Sequence, residues 1–224
     1  ESSDMDLAAI DYLKGMMFGG AFTLDLHSSG SFTRPYVNVS LELDELLYHQ
    51  APVGGMSAEG EIKDGLFLIN AALSGERGDL AIQWNLLKPY AWIAEARVKT
   101  DAIDPFLFLG NKGLSGKMKV IADGTAAVQG KGRDLSSLTG EAVFQKLGLI
   151  IGDFRMENES NAGFSLDAGR ITATSLNFIG PGTRINVTGG AKLLSDLDVT
   201  LKGTLDLSLL KLLYREVEHA GGVA

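Results

Sequence analysis

The 224-residue chain contains no cysteine, which excludes disulfides, thiol chemistry and cysteine-ligated metal ions. Its five prolines are scattered, so no proline-rich linker divides it. No stretch reaches the roughly 18 apolar residues that a transmembrane helix needs. The acidic start, Glu1–Leu7, does not have the pattern of a signal peptide. We therefore expect a section of a longer protein whose anchor and targeting signals lie outside this chain.

Positive charge is also scarce, with 20 Lys and Arg residues against 28 Asp and Glu residues and a net charge of −8. The basic residues are dispersed, and the densest group, from Lys112 to Arg133, is typical of a solvated edge or loop. Because a nucleic-acid site needs a basic patch to neutralise phosphates, we expect no nucleic-acid partner. The same charge disfavours electrostatic adsorption to an anionic membrane surface.

The usual catalytic and metal-binding motifs are missing from the sequence. His27, His49 and His219 lie far apart, and none belongs to an HExxH pattern. There is no GxSxG nucleophile motif. The segment Gly113–Lys117 lacks the glycine spacing of a phosphate-binding loop and the hydroxyl residue after the lysine. We expect no enzymatic activity, no catalytic residues, no metal site and no cofactor.

What the sequence does contain is alternation of apolar and polar residues. In Leu197–Leu207 the odd positions are apolar or glycine and the even positions are polar, which predicts a strand with one apolar and one wet face. Similar alternation recurs at Phe22–Leu26, Val37–Leu43 and Phe164–Leu166. Asp64–Gly65 lies between two strand-like segments and predicts a hairpin turn. The fold class is therefore mainly β.

Short strands joined by short loops predict an antiparallel meander, which we take as one domain over residues 1–224. Three short helices are predicted, near 4–14, 104–109 and 208–218. They supply too little helix to cover the apolar face of a long sheet. Such a sheet either folds on itself as a sandwich with a closed core or curls and leaves a groove.

The order of these segments resembles the TamB branch of the AsmA-like proteins of Gram-negative envelopes. Gly30–Pro35 follows the strand Phe22–Leu26 and is similar to a recurring element of that family, and Asp104–Leu107 is similar to its short helix. The later segments also follow the family's order: Gly163–Asp167, Ile171–Ile179, Pro181–Gly190 and Asp198–Leu207. The resemblance covers nearly the whole chain.

The resemblance implies a long curled antiparallel-rich sheet, an open trough or β-taco with a hydrophobic groove. It further implies an inner-membrane-anchored protein that crosses the periplasm and shelters phospholipid acyl chains during transport between the two membranes. The implied partner is a TamA-like outer-membrane barrel, bound through parts outside this chain. The alternative function is a scaffold or chaperone for the assembly of outer-membrane proteins and autotransporters with that barrel. The resemblance supplies no catalytic residues.

On this hypothesis the groove is lined by the apolar positions of the alternating segments, and the alternative is that the same positions form a closed core. In an excised fragment, exposed edges also predict edge-to-edge self-association, an artificial pairing into dimers. The predicted lining is Phe22, Leu24, Leu26, Val37, Val39, Leu41, Leu43, Leu66, Leu68, Ile82, Trp84, Ile185, Val187, Leu197, Val199, Leu201 and Leu205.

Overall fold

The computed structural model describes residues 3–6, 18–31, 34–48, 51–103, 118–193 and 196–206. These residues contain sixteen strands, and each pair whose register is established is antiparallel. The prediction of a mainly β, antiparallel-rich fold is confirmed. The strands are β1 Ser3–Asp6, β2 Phe18–Gly19, β3 Ala21–Ser31, β4 Arg34–Tyr48, β5 Ala51–Lys63, β6 Leu66–Leu73, β7 Gly78–Asn85, β8 Ala91–Ile103, β9 Met118–Lys131, β10 Asp134–Ile151, β11 Phe154–Asn158, β12 Ala162–Asp167, β13 Arg170–Ser175, β14 Asn177–Gly180, β15 Thr183–Lys192 and β16 Leu197–Thr204.

The chain divides into two compact units. Unit 1 comprises Glu1–Arg97 and Gln129–Asp134, and unit 2 comprises Val98–Val128 and Leu135–Ala224. Strands β8, β9 and β10 therefore contribute residues to both units.

Within unit 1 the strands β3 to β7 lie side by side in chain order, with β1 paired to β3 and β2 paired to β4. The β5–β6 connection shows why a meander forms. Lys63 pairs with Leu66 across a two-residue turn in which Asp64 and Gly65 have φ of 50° and 78°. Positive φ at both positions is the geometry that favours an Asp-Gly sequence. The predicted hairpin at Asp64–Gly65 is confirmed.

Within unit 2 the residues from 135 onward also form an antiparallel meander. Two of its rows are each divided into two short strands. β11 and β12 follow each other along the same partner, β10, while β13 and β14 follow each other along β15. β16 then pairs with β15 over its full length, from Leu197 to Thr204. Residues 159–161 and Leu176 separate the halves of the two interrupted strands.

The side chain of Asn158 fills the interruption beside β10. Its Oδ1 accepts a hydrogen bond from the Leu147 N–H at 2.7 Å. Its Nδ2 donates to the carbonyl oxygens of Phe144 and Gln145 at 3.2 Å and of Ser160 at 2.7 Å. One amide side chain thus replaces ladder hydrogen bonds that the irregular backbone cannot make, and it keeps the partly buried Leu147 N–H and Phe144 C=O paired.

Over the described residues the buried apolar core is small in both units. In unit 1 it consists there of Phe22 and Leu43, against which Leu24, Leu41, Leu46 and Met56 pack. In unit 2 the buried apolar residues are Ile121, Ala122, Ile151, Phe154, Ala162 and Leu176. Most of the remaining apolar side chains on the described strands are only half-buried.

The predicted helix near residues 4–14 is wrong at its start. Asp4, Met5 and Asp6 belong to β1, because the segment pairs with β3, with Asp6 opposite Ala21. The rest of that segment and the predicted helices near 104–109 and 208–218 lie outside the described residues. Over the described ranges the one helical element is a single 3-10 turn, Ser74–Glu76, and no helix there is long and apolar enough to span a membrane.

Candidate functional site

The register of unit 1 places one apolar side of β3 to β7 in four rows of directly opposed residues. In an antiparallel sheet such residues share a face, and successive residues alternate between faces. We call this set the apolar face of unit 1. Its rows are Phe22, Leu43, Met56 and Leu73; Leu24, Leu41, Ala58, Ala71 and Leu80; Leu26, Val39, Gly60, Ile69 and Ile82; and Val37, Ile62, Phe67 and Trp84.

The size of this face follows from strand geometry. Five strands about 4.8 Å apart span about 19 Å, and four rows spaced two residues apart along a strand span about 20 Å. None of the residues in the four rows carries a charge. The face therefore has a projected area of several hundred Å² without a charged residue, and only the exposed part of it counts as an apolar patch.

Burial varies systematically across the apolar face of unit 1. Phe22 and Leu43 are 4% and 3% exposed, whereas Leu26 and Trp84 are 55% and 39% exposed. The middle of the face, on the interior strands β5 and β6, is half-buried at Ala58, Ala71 and Ile69. A closed sandwich core buries the central rows completely. The face is therefore closed at one end and partly open at its centre.

Nine of the predicted lining residues lie on this face, and Leu66 and Leu68 do not. Leu68 is opposite Gln83 and Glu61, and Leu66 is opposite Asn85, so both point to the polar side of the sheet. The prediction that they share a face with the other residues is wrong. The nine that share it are Phe22, Leu24, Leu26, Val37, Val39, Leu41, Leu43, Ile82 and Trp84.

Sequence reasoning also missed several members of the face, which are Met56, Ile62, Phe67, Ile69, Leu73 and Leu80. The hairpin sequence contains a signal that identifies some of them. Because Lys63 and Leu66 flank a two-residue turn, Ile62 must lie opposite Phe67. From that pair the alternation assigns Ile69 to the same face as Val39 and Ile82.

In unit 2 the register brings together five of the remaining predicted residues. Val187 lies opposite Leu201, and Ile185 lies two residues along β15 on the same side. Val199 and Leu197 continue that side on β16. Leu205 follows β16 and is half-buried. The same side carries further apolar positions not predicted as lining, among them Phe144 and Phe164, whose rings pack edge to face with centroids 5.9 Å apart.

The polar side of the unit 1 sheet carries the charges. It includes the exposed ion pair between Arg97 Nε and Asp79 Oδ1, 2.7 Å apart. A shallow depression of about 560 Å³ on this side is lined in part by Asp25, His27, Glu59 and Glu61. In the described parts of the chain no three acidic or histidine side chains converge to hold a metal ion. The arrangement supports binding by an apolar surface, with charge kept on the opposite side.

Comparison with known proteins finds no matching family model, curated protein sequence or solved structure. The resemblance to the TamB family therefore stays a prediction from the sequence motifs. The feature that indicates function is the apolar face of unit 1 and its incomplete burial.

Proposed function

We propose that the chain shelters phospholipid acyl chains against the apolar face of unit 1 and the apolar side of β15–β16. The observation that carries the proposal is the half-burial of Ala58, Ala71 and Ile69 at the centre of an uncharged face. An apolar surface that the chain leaves partly uncovered favours an apolar occupant.

The dimensions suit an acyl chain. The hydrocarbon core of a bilayer is about 30 Å thick, so one leaflet's chains span about 15 Å. The face is about 20 Å long in each direction by strand geometry. Each buried CH₂ contributes about 0.8 kcal/mol, which is comparable with what the same group gains inside a bilayer. An acyl chain would therefore exchange between bilayer and protein at little net cost, which is what transfer requires.

The same surface explains which part of a lipid is recognised. Since the four rows of the face hold no charged residue, no side chain of these rows offers an ion pair to a phosphate or an amine. We therefore expect binding to depend on the acyl chains and to discriminate weakly between headgroups.

The proposed setting is that of the TamB-like proteins. In this setting the chain is a section of an inner-membrane-anchored protein in the periplasm, and a TamA-like outer-membrane barrel binds parts outside the section. The segment order from Gly30–Pro35 to Asp198–Leu207 supports this setting, and the antiparallel β fold is consistent with it.

Two alanine-to-aspartate substitutions, which add the same charge on opposite sides of the sheet, test the proposal. Ala71 lies on the apolar face of unit 1, and Ala81 lies on the polar side, exposed and opposite Asn70. Ala71→Asp is expected to abolish phospholipid retention, measured by mass spectrometry of lipid co-purified with the chain, while circular dichroism still shows β-sheet. Ala81→Asp is expected to leave retention unchanged.

Two results of that experiment would overturn the proposal. Equal lipid retention by Ala71→Asp and Ala81→Asp would mean that the lipid does not use the apolar face. Loss of β-structure in Ala71→Asp alone would mean that the face is a closed core, because a carboxylate is tolerated only where water reaches it.

A second candidate is the scaffold for outer-membrane protein assembly, which the exposed strand β16 favours. A client strand would then add to its edge by backbone hydrogen bonds. Val199→Pro, which removes a backbone donor on β16, would abolish client assembly in this case, whereas Ala71→Asp would not. Acyl-chain binding predicts the reverse pattern for lipid transfer.

A further inference from the structure

Among the described residues, strand β16 lies at the end of the unit 2 sheet and has an apolar side. It pairs with β15, and no other strand among the described residues pairs with it. All eight residues from Leu197 to Thr204 are exposed, with Leu197 and Leu201 at 77% and 65%. A long exposed edge with apolar side chains is a template for addition of another strand.

The backbone phase of β16 fixes which residues an added strand would meet. The Lys192 N–H donates to the Asp196 carbonyl at 2.7 Å, in phase with the register that sets Ala191 opposite Leu197. Hydrogen-bonded and non-hydrogen-bonded pairs alternate along an antiparallel ladder. Even-numbered residues of β16 therefore bond to β15, while Leu197, Val199, Leu201 and Gly203 direct their backbone groups outward.

The sequence of β16 is complementary to itself in the antiparallel direction. With a two-fold axis at Thr200, Asp198 lies opposite Lys202 of the second copy, and Val199 lies opposite Leu201 of the second copy. The outward-directed odd positions then form the hydrogen-bonded pairs, as the backbone phase requires. Charged pairs fall on the polar side and apolar pairs on the apolar side, because facing residues share a face.

We propose that two copies of this chain associate through β16, antiparallel and two-fold symmetric about Thr200. The charged groups are available for it. Asp198 is exposed and has Arg170 at 4.0 Å, and Lys202 has no carboxylate partner within the described residues. The association joins the two sheets edge to edge in a defined register. It goes beyond acyl-chain binding, because it uses the backbone edge of β16 as a surface for a second copy.

Neighbouring registers are less complementary. An axis at Val199 keeps the backbone phase but sets Asp198 opposite Thr200, and pairs Lys202 with Asp196, which lies outside β16. An axis at Leu201 sets Lys202 opposite Thr200 and leaves Asp198 opposite Thr204. Of these three axes, only the one at Thr200 gives two ion pairs within the strand, because Asp198 of each copy then faces Lys202 of the other.

The absence of native cysteine makes the register directly testable. Directly opposed residues have Cβ atoms about 4.5–5.5 Å apart, close enough for a disulfide after small adjustment. Under mild oxidation Thr200→Cys is expected to form a covalent dimer, whereas Val199→Cys and Leu201→Cys stay mostly monomeric, since each lies opposite a different position. Efficient cross-linking at Val199 or Leu201 instead would overturn the proposed axis.

Charge reversal tests the association without cysteine. Asp198→Lys turns two attractive pairs into repulsive ones, so the dimer dissociation constant in sedimentation equilibrium should rise about tenfold or more. The double variant Asp198→Lys with Lys202→Asp restores complementarity and should restore the wild-type constant. No recovery in the double variant would contradict the proposal.

Two further outcomes would also overturn it. One is a wild-type chain that stays monomeric at the highest soluble concentration. The other is protection of the β16 amides from hydrogen exchange only when a peptide from an outer-membrane β-strand is added, which would assign the edge to client strands. Lipid retention is measured separately with Ala71→Asp, so failure of the dimer leaves the test of acyl-chain binding intact.

Discussion

Truncation of two leucines on the apolar face of unit 1 should have very different costs. Leu43 is 3% exposed and packs in the core with Phe22, so Leu43→Ala should lower the free energy of unfolding by about 3 kcal/mol. Leu26 lies on the same face but is 55% exposed. Since it loses less buried area, Leu26→Ala should cost about 1 kcal/mol.

Urea unfolding followed by tryptophan fluorescence measures both changes in the free energy of unfolding, and it reports on unit 1. The two tryptophans, Trp84 and Trp92, both belong to unit 1. With a slope of about 2 kcal/mol per M, the midpoint should fall by about 1.5 M for Leu43→Ala and about 0.5 M for Leu26→Ala. Equal midpoint shifts would contradict this prediction, because they would mean that the face is buried uniformly.

Three other substitutions test the local structure. Gly65→Ala should cost about 1 kcal/mol in the same urea assay, because φ is 78° at this turn position; an unchanged midpoint would contradict the turn. Asn158→Ala should cost about 2 kcal/mol by thermal unfolding and speed hydrogen exchange at the Leu147 amide, whose acceptor it removes; unchanged exchange there would argue against the hydrogen bond. Gly124→Ala should cost about 2 kcal/mol or more in the same thermal assay, since its Cβ would lie 2.6 Å from the Phe144 ring, and a neutral effect would show that the strands there are further apart.

The alternating segments predicted both the strands and their faces. Leu197–Leu207 has a strict period of two, and β16 indeed covers Leu197–Thr204 with its leucines and valine on one side. The segment Leu66–Ile69 is apolar at every position, so period two assigns no face to it. There only the pairing with β5 across Asp64–Gly65 decides the face, which is why the prediction for Leu66 and Leu68 is wrong.

The start of the chain shows a different failure. Asp4 and Asp6 can cap a helix, and the apolar spacing that follows favours one. The structure instead pairs Ser3–Asp6 with β3, with Asp6 opposite Ala21 fifteen positions away. Local propensity is a weak prior that tertiary pairing overrides. The burial of a residue is likewise set by tertiary structure. The exposure of Ala71 depends on what packs over the sheet and not on its neighbours in sequence.

The most direct test of acyl-chain binding uses two consecutive alanines. Ala71 lies on the apolar face of unit 1, and Ala72 lies on the polar side opposite Asp79, exposed. A photo-crosslinking residue is placed at each position in cells, and the adducts are read by mass spectrometry. Acyl-chain binding to this face predicts phospholipid adducts at position 71 and none at position 72. Crosslinks at position 71 only to the chain itself, without lipid, would contradict it and show a closed core.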